Sequence, residues 1–250
     1  MRYAEILLTI LTASVSPARA QDAAARIKAA QYTLGMIRGP QRIDAINTME
    51  YWGTGSAGRP AAKVTYHVSL SYFTPAMRVD VLRDPGGRGI QVVSGTFAWD
   101  ESVPGAGFIP GTTAKPAPAA VKDRLLQLWR TPHGALKAAE RAASSAKITN
   151  ENGVTAITFP MMAPLNGIMM KVTLNASNQV EKVETRSENG TVTETTYSGY
   201  KDLGEIQSDV LFPSHITQKQ GSAQVLDLTI TKADPNNPYA VFPVPENVLK

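Results

Sequence analysis

Hydrophobic and polar residues alternate along most of the chain, as is typical of β-strands with one buried and one exposed face. In residues 62–72 the apolar positions share one face: Val64, Tyr66, Val68, Leu70 and Tyr72. The same alternation recurs in the segments 43–52, 77–83, 89–93, 96–100, 154–159, 168–174, 180–186, 191–197, 216–219 and 225–232. Turn residues such as Asn-Gly separate neighbouring segments, so the pattern predicts an antiparallel meander.

Three segments show the helical period instead. Residues 22–36 and 119–130 each place apolar side chains on one stripe. In the third segment, 131–143, Thr131 is expected as the N-cap and Pro132 as the first helical residue. Residues 104–118 are rich in Gly, Pro and Ala, which predicts a long exposed loop.

Many strands with a few helices on one side predict an α+β fold. The antiparallel sheet should be strongly curved if it covers a helix. The helices should bury one face of the sheet, and the opposite face should be wet because it carries polar side chains: Lys63, His67, Lys171, Glu184 and Asp227.

The N-terminus predicts export. Residues 1–20 contain Arg2, a short apolar run and Ala18-Arg19-Ala20 as an A-x-A site, so we expect a signal peptide that is cleaved before Gln21. The alternative is a membrane anchor, although the apolar run is short for a span. No later segment has the length and apolar character of a membrane span. Residues 21–250 are then expected to form a single domain.

Composition refines the compartment and the partners. The chain has no cysteine, which excludes disulfides, thiolate ligands and a lipoprotein-type lipid anchor, and which suits a bacterial periplasm. Its net charge of +4 is mild and scattered, so nucleic acid is not an expected partner.

Catalytic motifs are lacking in the sequence. The three histidines, His67, His133 and His215, lie in separate predicted elements without metal-binding spacing. Ser94-Gly95 lacks the context of a nucleophile elbow, and residues 86–89 have that of a hairpin turn, not of a phosphate loop. We therefore predict no catalytic residues, no metal, no cofactor and no enzymatic activity.

Soft apolar side chains are the more distinctive feature. Met161, Met162, Met169 and Met170 lie within ten positions. Methionine is common on surfaces that accept varied apolar ligands, but it also fills gaps in ordinary cores. Phe97 and Trp99 share one strand face, and they too could either line a cavity or belong to a core.

Two segments resemble a known family. Residues 128–142 (LWRTPHGALKAAERA) and the closing arrangement of residues 197–245, with its Phe-Pro pairs, are similar to the LolA/LolB-like periplasmic lipoprotein carriers. They resemble in particular the LolA-like region ahead of some metallo-β-lactamase-fold hydrolases. The resemblance implies an incomplete antiparallel barrel with two or three helices packed against its concave face and an apolar ligand between them. The H-x-H-x-D-H motif of those hydrolases does not occur in the sequence, so no metallohydrolase activity is implied.

Three functional hypotheses follow. The first is a periplasmic binding protein for a hydrophobic or lipid-like ligand, in which residues 104–118 form a mobile rim. Trp99→Ala should then weaken binding more than folding. The predicted ligand-binding residues are Val64, Tyr66, Val68, Leu70, Tyr72, Phe97, Trp99, Trp129, Ile168, Met170 and Leu174.

The second hypothesis is a protein-interaction or accessory scaffold for a separate exported hydrolase, with a filled cavity. The third is an enzyme around His67 or His215, which would need a cleft where a histidine meets a carboxylate.

Overall fold

The computed structural model describes residues 17–38, 43–151, 153–187 and 190–250. Within these residues the chain forms a 13-stranded antiparallel sheet, a separate two-stranded sheet and four α-helices. Most of the predicted signal peptide, residues 1–16, lies outside the described residues. Within the described ranges, no helix combines the length and the apolar character that crossing a membrane requires.

The elements follow one another in a strand-rich order. The helices are α1 (Pro17–Thr33), α2 (Val121–Arg130), α3 (Pro132–Arg141) and α4 (Glu246–Leu249). The small sheet pairs β1 (Ile37–Arg38) with β2 (Ile43–Asp44). The strands of the large sheet are β3 (Thr48–Ala57), β4 (Ala62–Ser71), β5 (Ala76–Asp84), β6 (Gly87–Ser94), β7 (Phe97–Glu101), β8 (Lys115–Pro116), β9 (Lys147–Glu151), β10 (Val154–Pro160), β11 (Met169–Leu174), β12 (Val180–Arg186), β13 (Val192–Asp202), β14 (Leu211–Gln220) and β15 (Ala223–Pro235).

The large sheet is two meanders joined at their middle. Its order is β8-β7-β6-β5-β4-β3-β15-β14-β13-β12-β11-β10-β9, so every neighbouring pair is consecutive in sequence except β3 and β15. That single long-range pairing places Gly55 of β3 opposite Leu228 of β15. The sheet stays open, since β8 and β9 do not pair with each other.

Helix α2 shows how strongly the sheet curves. It contacts β5, β6 and β7 and also β12. In a flat sheet β5 and β12 would be about 29 Å apart, at about 4.8 Å per strand, whereas a helix with its side chains is only about 10–12 Å wide. The sheet must therefore wrap around the helix. The predicted α+β class and the curved antiparallel sheet are confirmed.

The TPHG segment forms a tight junction between α2 and α3. Thr131 caps α3, as predicted, by accepting a hydrogen bond from the Gly134 backbone N–H at 3.3 Å, and its hydroxyl lies 2.9 Å from the Tyr72 hydroxyl. A Cβ on Gly134 would lie 2.6 Å from the Leu128 carbonyl oxygen, so only glycine fits there. His133 is fully buried and its ring stacks on Phe212 at 5.8 Å. The TPHG segment therefore packs the junction of α2 and α3 against the sheet.

The convex face is wet only in part. Over β11 to β13 it carries a partly exposed ladder of ion pairs that joins Lys171, Glu184, Lys182 and Glu194. Over β5 to β7 it is covered by residues 236–250, which we call the C-terminal strap. Beneath the strap lies a second hydrophobic cluster, separate from the main core between the sheet and the helices. Its buried members are Ala76, Ile90, Val92, Trp99, Ala114 and Phe242. The prediction of a fully wet outer face is therefore wrong.

The loop 104–118 lies on the same side as the strap. Asn247 donates a hydrogen bond to the Ala114 carbonyl oxygen at 2.6 Å, and a Cβ on Gly107 would lie 2.8 Å from the Pro245 ring. The loop ends in the short strand β8. Because these contacts hold it against the convex face, the sequence-based view of it as the rim of an inner cavity is wrong.

Candidate functional site

The residues predicted to line one cavity fall into two groups. Nine belong to the main core between the concave face and the helices, and each is at most 9% exposed: Val64, Tyr66, Val68, Leu70, Tyr72, Trp129, Ile168, Met170 and Leu174. Trp99 belongs to the second cluster under the strap, and Phe97 packs against that cluster. The structure therefore does not bring Phe97 and Trp99 together with the other nine. Ligand binding by any of the eleven stays a prediction.

The methionines divide in a similar way. Met161 and Met170 are buried in the main core, whereas Met162 and Met169 are 58% and 43% exposed. A cleft of only about 40 Å³ lies between Met161, Met162 and Trp129. This end of the half-barrel is therefore closed by the protein's own side chains.

The large opening on the concave side runs along helix α2, which lines it from Asp123 to Arg130. It has a volume of about 610 Å³, which is within the range of about 300–1,000 Å³ that is typical of small-molecule sites. We call it the lumen. The residues that line it come from β4, β6, α2 and the strands β12 to β15: Tyr66, Gln91, Ala120, Asp123, Arg124, Leu126, Gln127, Arg130, Thr185, Ser187, Thr191, Thr193, Gln218, Gln220, Val225 and Leu226.

The sheet wall changes from apolar to polar towards the lumen. Cross-strand register defines rows of side chains on the concave face. An inner row over β13, β14 and β15 consists of Tyr197, Ile216 and Leu228. An outer row over β12, β13 and β14 consists of Thr185, Thr193 and Gln220. A ligand in the lumen would therefore meet hydroxyl and amide groups on the sheet and apolar groups beside them.

Arg130, the last residue of α2, lies where these two zones meet. Its Nη1 donates to the Thr185 hydroxyl at 3.2 Å. Its Nε is buried and has no hydrogen-bond partner among the described residues. Burial lowers the pKa of the Arg130 guanidinium, and electrostatic interactions with Tyr197 and, to a smaller extent, with the carboxylate of Asp123 oppose this. The Arg130 carbonyl oxygen accepts a hydrogen bond from the Tyr197 hydroxyl, which fixes the end of the helix against the sheet.

The second arginine of the lumen is engaged by the sheet. Arg124 donates to the carbonyl oxygens of Val92 and Trp99 at 2.9 Å and 2.6 Å and forms an ion pair with Asp100 at 2.5 Å. It therefore ties α2 to β6 and β7. Arg130 differs from Arg124 in that its Nε–H has no hydrogen-bond partner among the described residues.

A different polar cluster lies on the convex face beneath the strap. His67 Nε2 is 2.6 Å from a Glu50 carboxylate oxygen, and the Ser69 hydroxyl donates to that same oxygen at 2.9 Å. The Asn237 side-chain amide donates to the other Glu50 oxygen. Burial by itself raises the pKa of the Glu50 carboxyl, but the hydrogen bonds with His67, Asn237 and Ser69 outweigh it and hold the pKa below its usual range.

This cluster borders a cleft of about 200 Å³, so a histidine does meet a carboxylate in a cleft. Its geometry is nevertheless unlike a catalytic triad. In a triad one imidazole nitrogen faces the nucleophile and the other faces the carboxylate. Here the same nitrogen, Nε2 of His67, lies 2.6 Å from Glu50 and 3.5 Å from the Ser69 hydroxyl. The cluster instead attaches Asn237 of the strap to the sheet.

The other two histidines have structural surroundings. His215 Nε2 lies 2.8 Å from Asp227 on the exposed convex face, and His133 is in the main core. In the part of the chain that the structure describes, no three His, Asp or Glu side chains are placed to hold a metal ion.

Of the residues that line the lumen, the sequence-based reasoning predicted Tyr66 and missed the others. Thr185 and Thr193 continue the alternation of their strands, and threonine is a good strand former, so they were counted simply as strand residues. The available signal was threonine and glutamine on the face where the same strands elsewhere carry Val183, Tyr197 and Ile216. A polar stretch on a core-facing side indicates an opening in the core.

Comparison with solved structures gives 18 similar chains, two of which are described here. No family model and no curated protein matches the chain. A LolA superfamily protein, NE2245 from Nitrosomonas europaea, is similar with a TM-score of 0.47 and 14% identity, over 88% of this chain and 94% of that chain. The MucA/MucB complex of Pseudomonas aeruginosa matches with a TM-score of 0.25 and 11% identity, over 91% of this chain and 60% of that chain. Both similarities are distant, so the proposals below rest on the lumen.

Proposed function

We propose that this protein is a non-enzymatic binding protein for a lipid-like ligand, which enters the lumen beside α2. The observation that carries the proposal is the lumen of about 610 Å³ within a half-barrel that is otherwise filled by its own side chains. Tyr66, Leu126 and Leu226 supply apolar surface there, next to the hydroxyl and amide groups of the sheet. Such mixed walls suit an amphiphile, since apolar burial drives binding and the polar groups orient the ligand.

The proposal places this binding in the periplasm. It rests there on the export signal that the sequence predicts in residues 1–20, on the absence of cysteine and on the sequence resemblance to periplasmic lipoprotein carriers. The candidate ligands are then the amphiphiles that occur in the periplasm.

A side chain that fills the lumen tests the proposal. Gln218→Trp points a large ring from β14 into the lumen, so it should abolish or weaken by at least about tenfold the binding of a neutral monoacylglycerol and of a fatty acid. Native mass spectrometry and displacement of a dansyl-labelled acyl probe would measure this.

The matched control is Thr217→Trp, the neighbouring residue of the same strand. Its side chain points to the opposite face of the sheet, and it should leave binding unchanged. If the unaltered protein binds neither amphiphile, or if both variants bind equally well, the proposed function is wrong.

A second candidate function is a protein-interaction scaffold, such as an accessory subunit for a separately encoded exported hydrolase. The observation in its favour is an apolar groove of about 420 Å³ between the strap and the ends of β5 and β6. Val241 in this groove is 64% exposed. Val241→Asp should then abolish capture of a specific partner in a pull-down without affecting the binding of acyl probes. Acyl binding without any Val241-dependent partner would exclude this candidate.

A further inference from the structure

Arg130 has the features of a binding site for an oxyanion. We infer that the lumen ligand carries an anionic head group, a carboxylate or a phosphate, and that Arg130 binds it together with the hydroxyl of Thr185. This inference rests on the proposed function and specifies its ligand class.

The positive charge of Arg130 has few compensating groups within the protein. A buried guanidinium costs free energy unless an anion or several hydrogen bonds compensate for it. Among the described residues Arg130 has one side-chain hydrogen bond, to the neutral hydroxyl of Thr185. Asp123, on the same helix and also lining the lumen, attracts it without forming an ion pair. The arginine is therefore undercompensated in the protein alone, and a ligand anion would complete its surroundings.

One edge of the Arg130 guanidinium, formed by Nε and Nη2, could bind an anion. Nη1 is occupied by Thr185, while Nε and Nη2 have no hydrogen bond with the described residues. Nε–H and Nη2–H point the same way from the planar group, which is the fork that binds two oxygens of a carboxylate or phosphate. Nε is buried in this structure, so binding through the fork requires the Arg130 side chain to rotate towards the lumen that the residue lines.

Hydroxyl groups and apolar side chains lie near that fork. The Thr185 hydroxyl accepts from Arg130, so its own hydrogen remains available for a ligand oxygen. Thr193 lies directly across from Thr185 in the register and adds a second hydroxyl. The apolar side chains of Leu126 and Leu226 line the same lumen and would contact the tail of the ligand. Head and tail thus have adjacent sites.

The test compares anionic with neutral ligands in three variants of the full chain. Arg130→Gln removes the charge, Arg130→Lys keeps it without the fork, and Lys122→Gln removes an exposed charge of the same helix that does not line the lumen. The probes are a fatty acid, a lysophosphatidic acid, a neutral monoacylglycerol, inorganic phosphate and acetate. Affinity is measured by calorimetry, and thermal unfolding shows that each variant is folded.

We expect Arg130→Gln to weaken fatty acid and lysophosphatidic acid binding by about 10- to 100-fold while monoacylglycerol binding stays within about twofold. Arg130→Lys should restore part of the loss, and Lys122→Gln should have no effect. If phosphate or acetate alone binds as tightly as the acyl anions and depends on Arg130, the source is a free anion, and the oxyanion site itself is supported.

Two results overturn the inference, and they are distinguishable from failure of the proposed function. If Arg130→Gln binds every anion as tightly as the unaltered protein, Arg130 is not the anion site, although lumen binding of amphiphiles still stands. If monoacylglycerol binds and none of the anions does, the head group is neutral. Failure of all amphiphiles, by contrast, removes the proposed function, and the phosphate and acetate arms then decide the anion site independently.

Discussion

Trp99→Ala is expected to lower the free energy of unfolding by about 4 kcal/mol, and ligand affinity of the folded protein should stay unchanged. Trp99 is fully buried in the cluster under the C-terminal strap, so truncation leaves a large cavity. It also removes the hydrogen bond from the indole N–H to Glu101 at 2.9 Å, whose carboxylate is fully buried. Urea denaturation followed by circular dichroism measures the loss.

Trp99→Phe separates the two contributions. It keeps most of the apolar volume and removes only the indole donor, so it should cost about 1–3 kcal/mol, less than alanine. Glu101 would keep its ion pair with Arg78 at 3.2 Å and the hydrogen bond from the Gly105 backbone N–H at 2.9 Å. A Trp99→Ala variant that unfolds like the unaltered protein but loses acyl binding would contradict this prediction. It would restore the ligand-contact role expected from the sequence.

Gly55→Ala is expected to cost about 3 kcal/mol or more of unfolding free energy, although it adds a single methyl group. A Cβ at this position would lie 1.9 Å from the Asp227 carbonyl oxygen and 3.0 Å from the Leu228 Cα. These are backbone atoms of β15, so relief requires β3 and β15 to move apart. This pairing is the one that joins the two meanders, and the change should therefore weaken the whole sheet.

Gly95→Ala is the matched control. Gly95 has a positive φ of 57° in the β6–β7 turn, and a Cβ there would meet nothing within 4 Å. It should cost only the backbone strain, about 1–2 kcal/mol. Equal and small losses in both variants would show that β3 and β15 can separate easily, which would contradict the tight approach at Gly55. Chemical denaturation of both proteins under one set of conditions decides between them.

The lumen and the filled core together change what the half-barrel can bind. The sequence predicted an apolar cavity lined by residues such as Leu70, Trp129 and Met170, but these are buried in the main core. The open volume lies instead where threonine and glutamine replace the apolar residues of the sheet. An amphiphile with its head at Arg130 fits that arrangement better than a wholly apolar ligand does.

Many local elements of this protein were determined by its sequence alone, although the short elements β1, β8 and α4 were not predicted. Alternation in residues 62–72 predicted β4, the exact bounds of β12 (Val180–Arg186) followed from the same pattern, and Thr131 was identified as a helix cap. Such features depend on side-chain period, turn residues and capping groups, all of which act within a few residues along the chain. The curvature of the antiparallel sheet was also expected, because a sheet that covers a helix must bend.

Only the tertiary structure decided which face each residue occupies. Alternation shows that a strand has two faces but not what covers them, and the strap covers the outer face over β5 to β7. Neighbouring residues Val92 and Val93 are therefore both buried, as are Ala98 and Trp99, although Trp99 was predicted to line the inner cavity. The pairing of β3 with β15, the filled core and the position of Arg130 depend on contacts between distant segments, which no local pattern encodes.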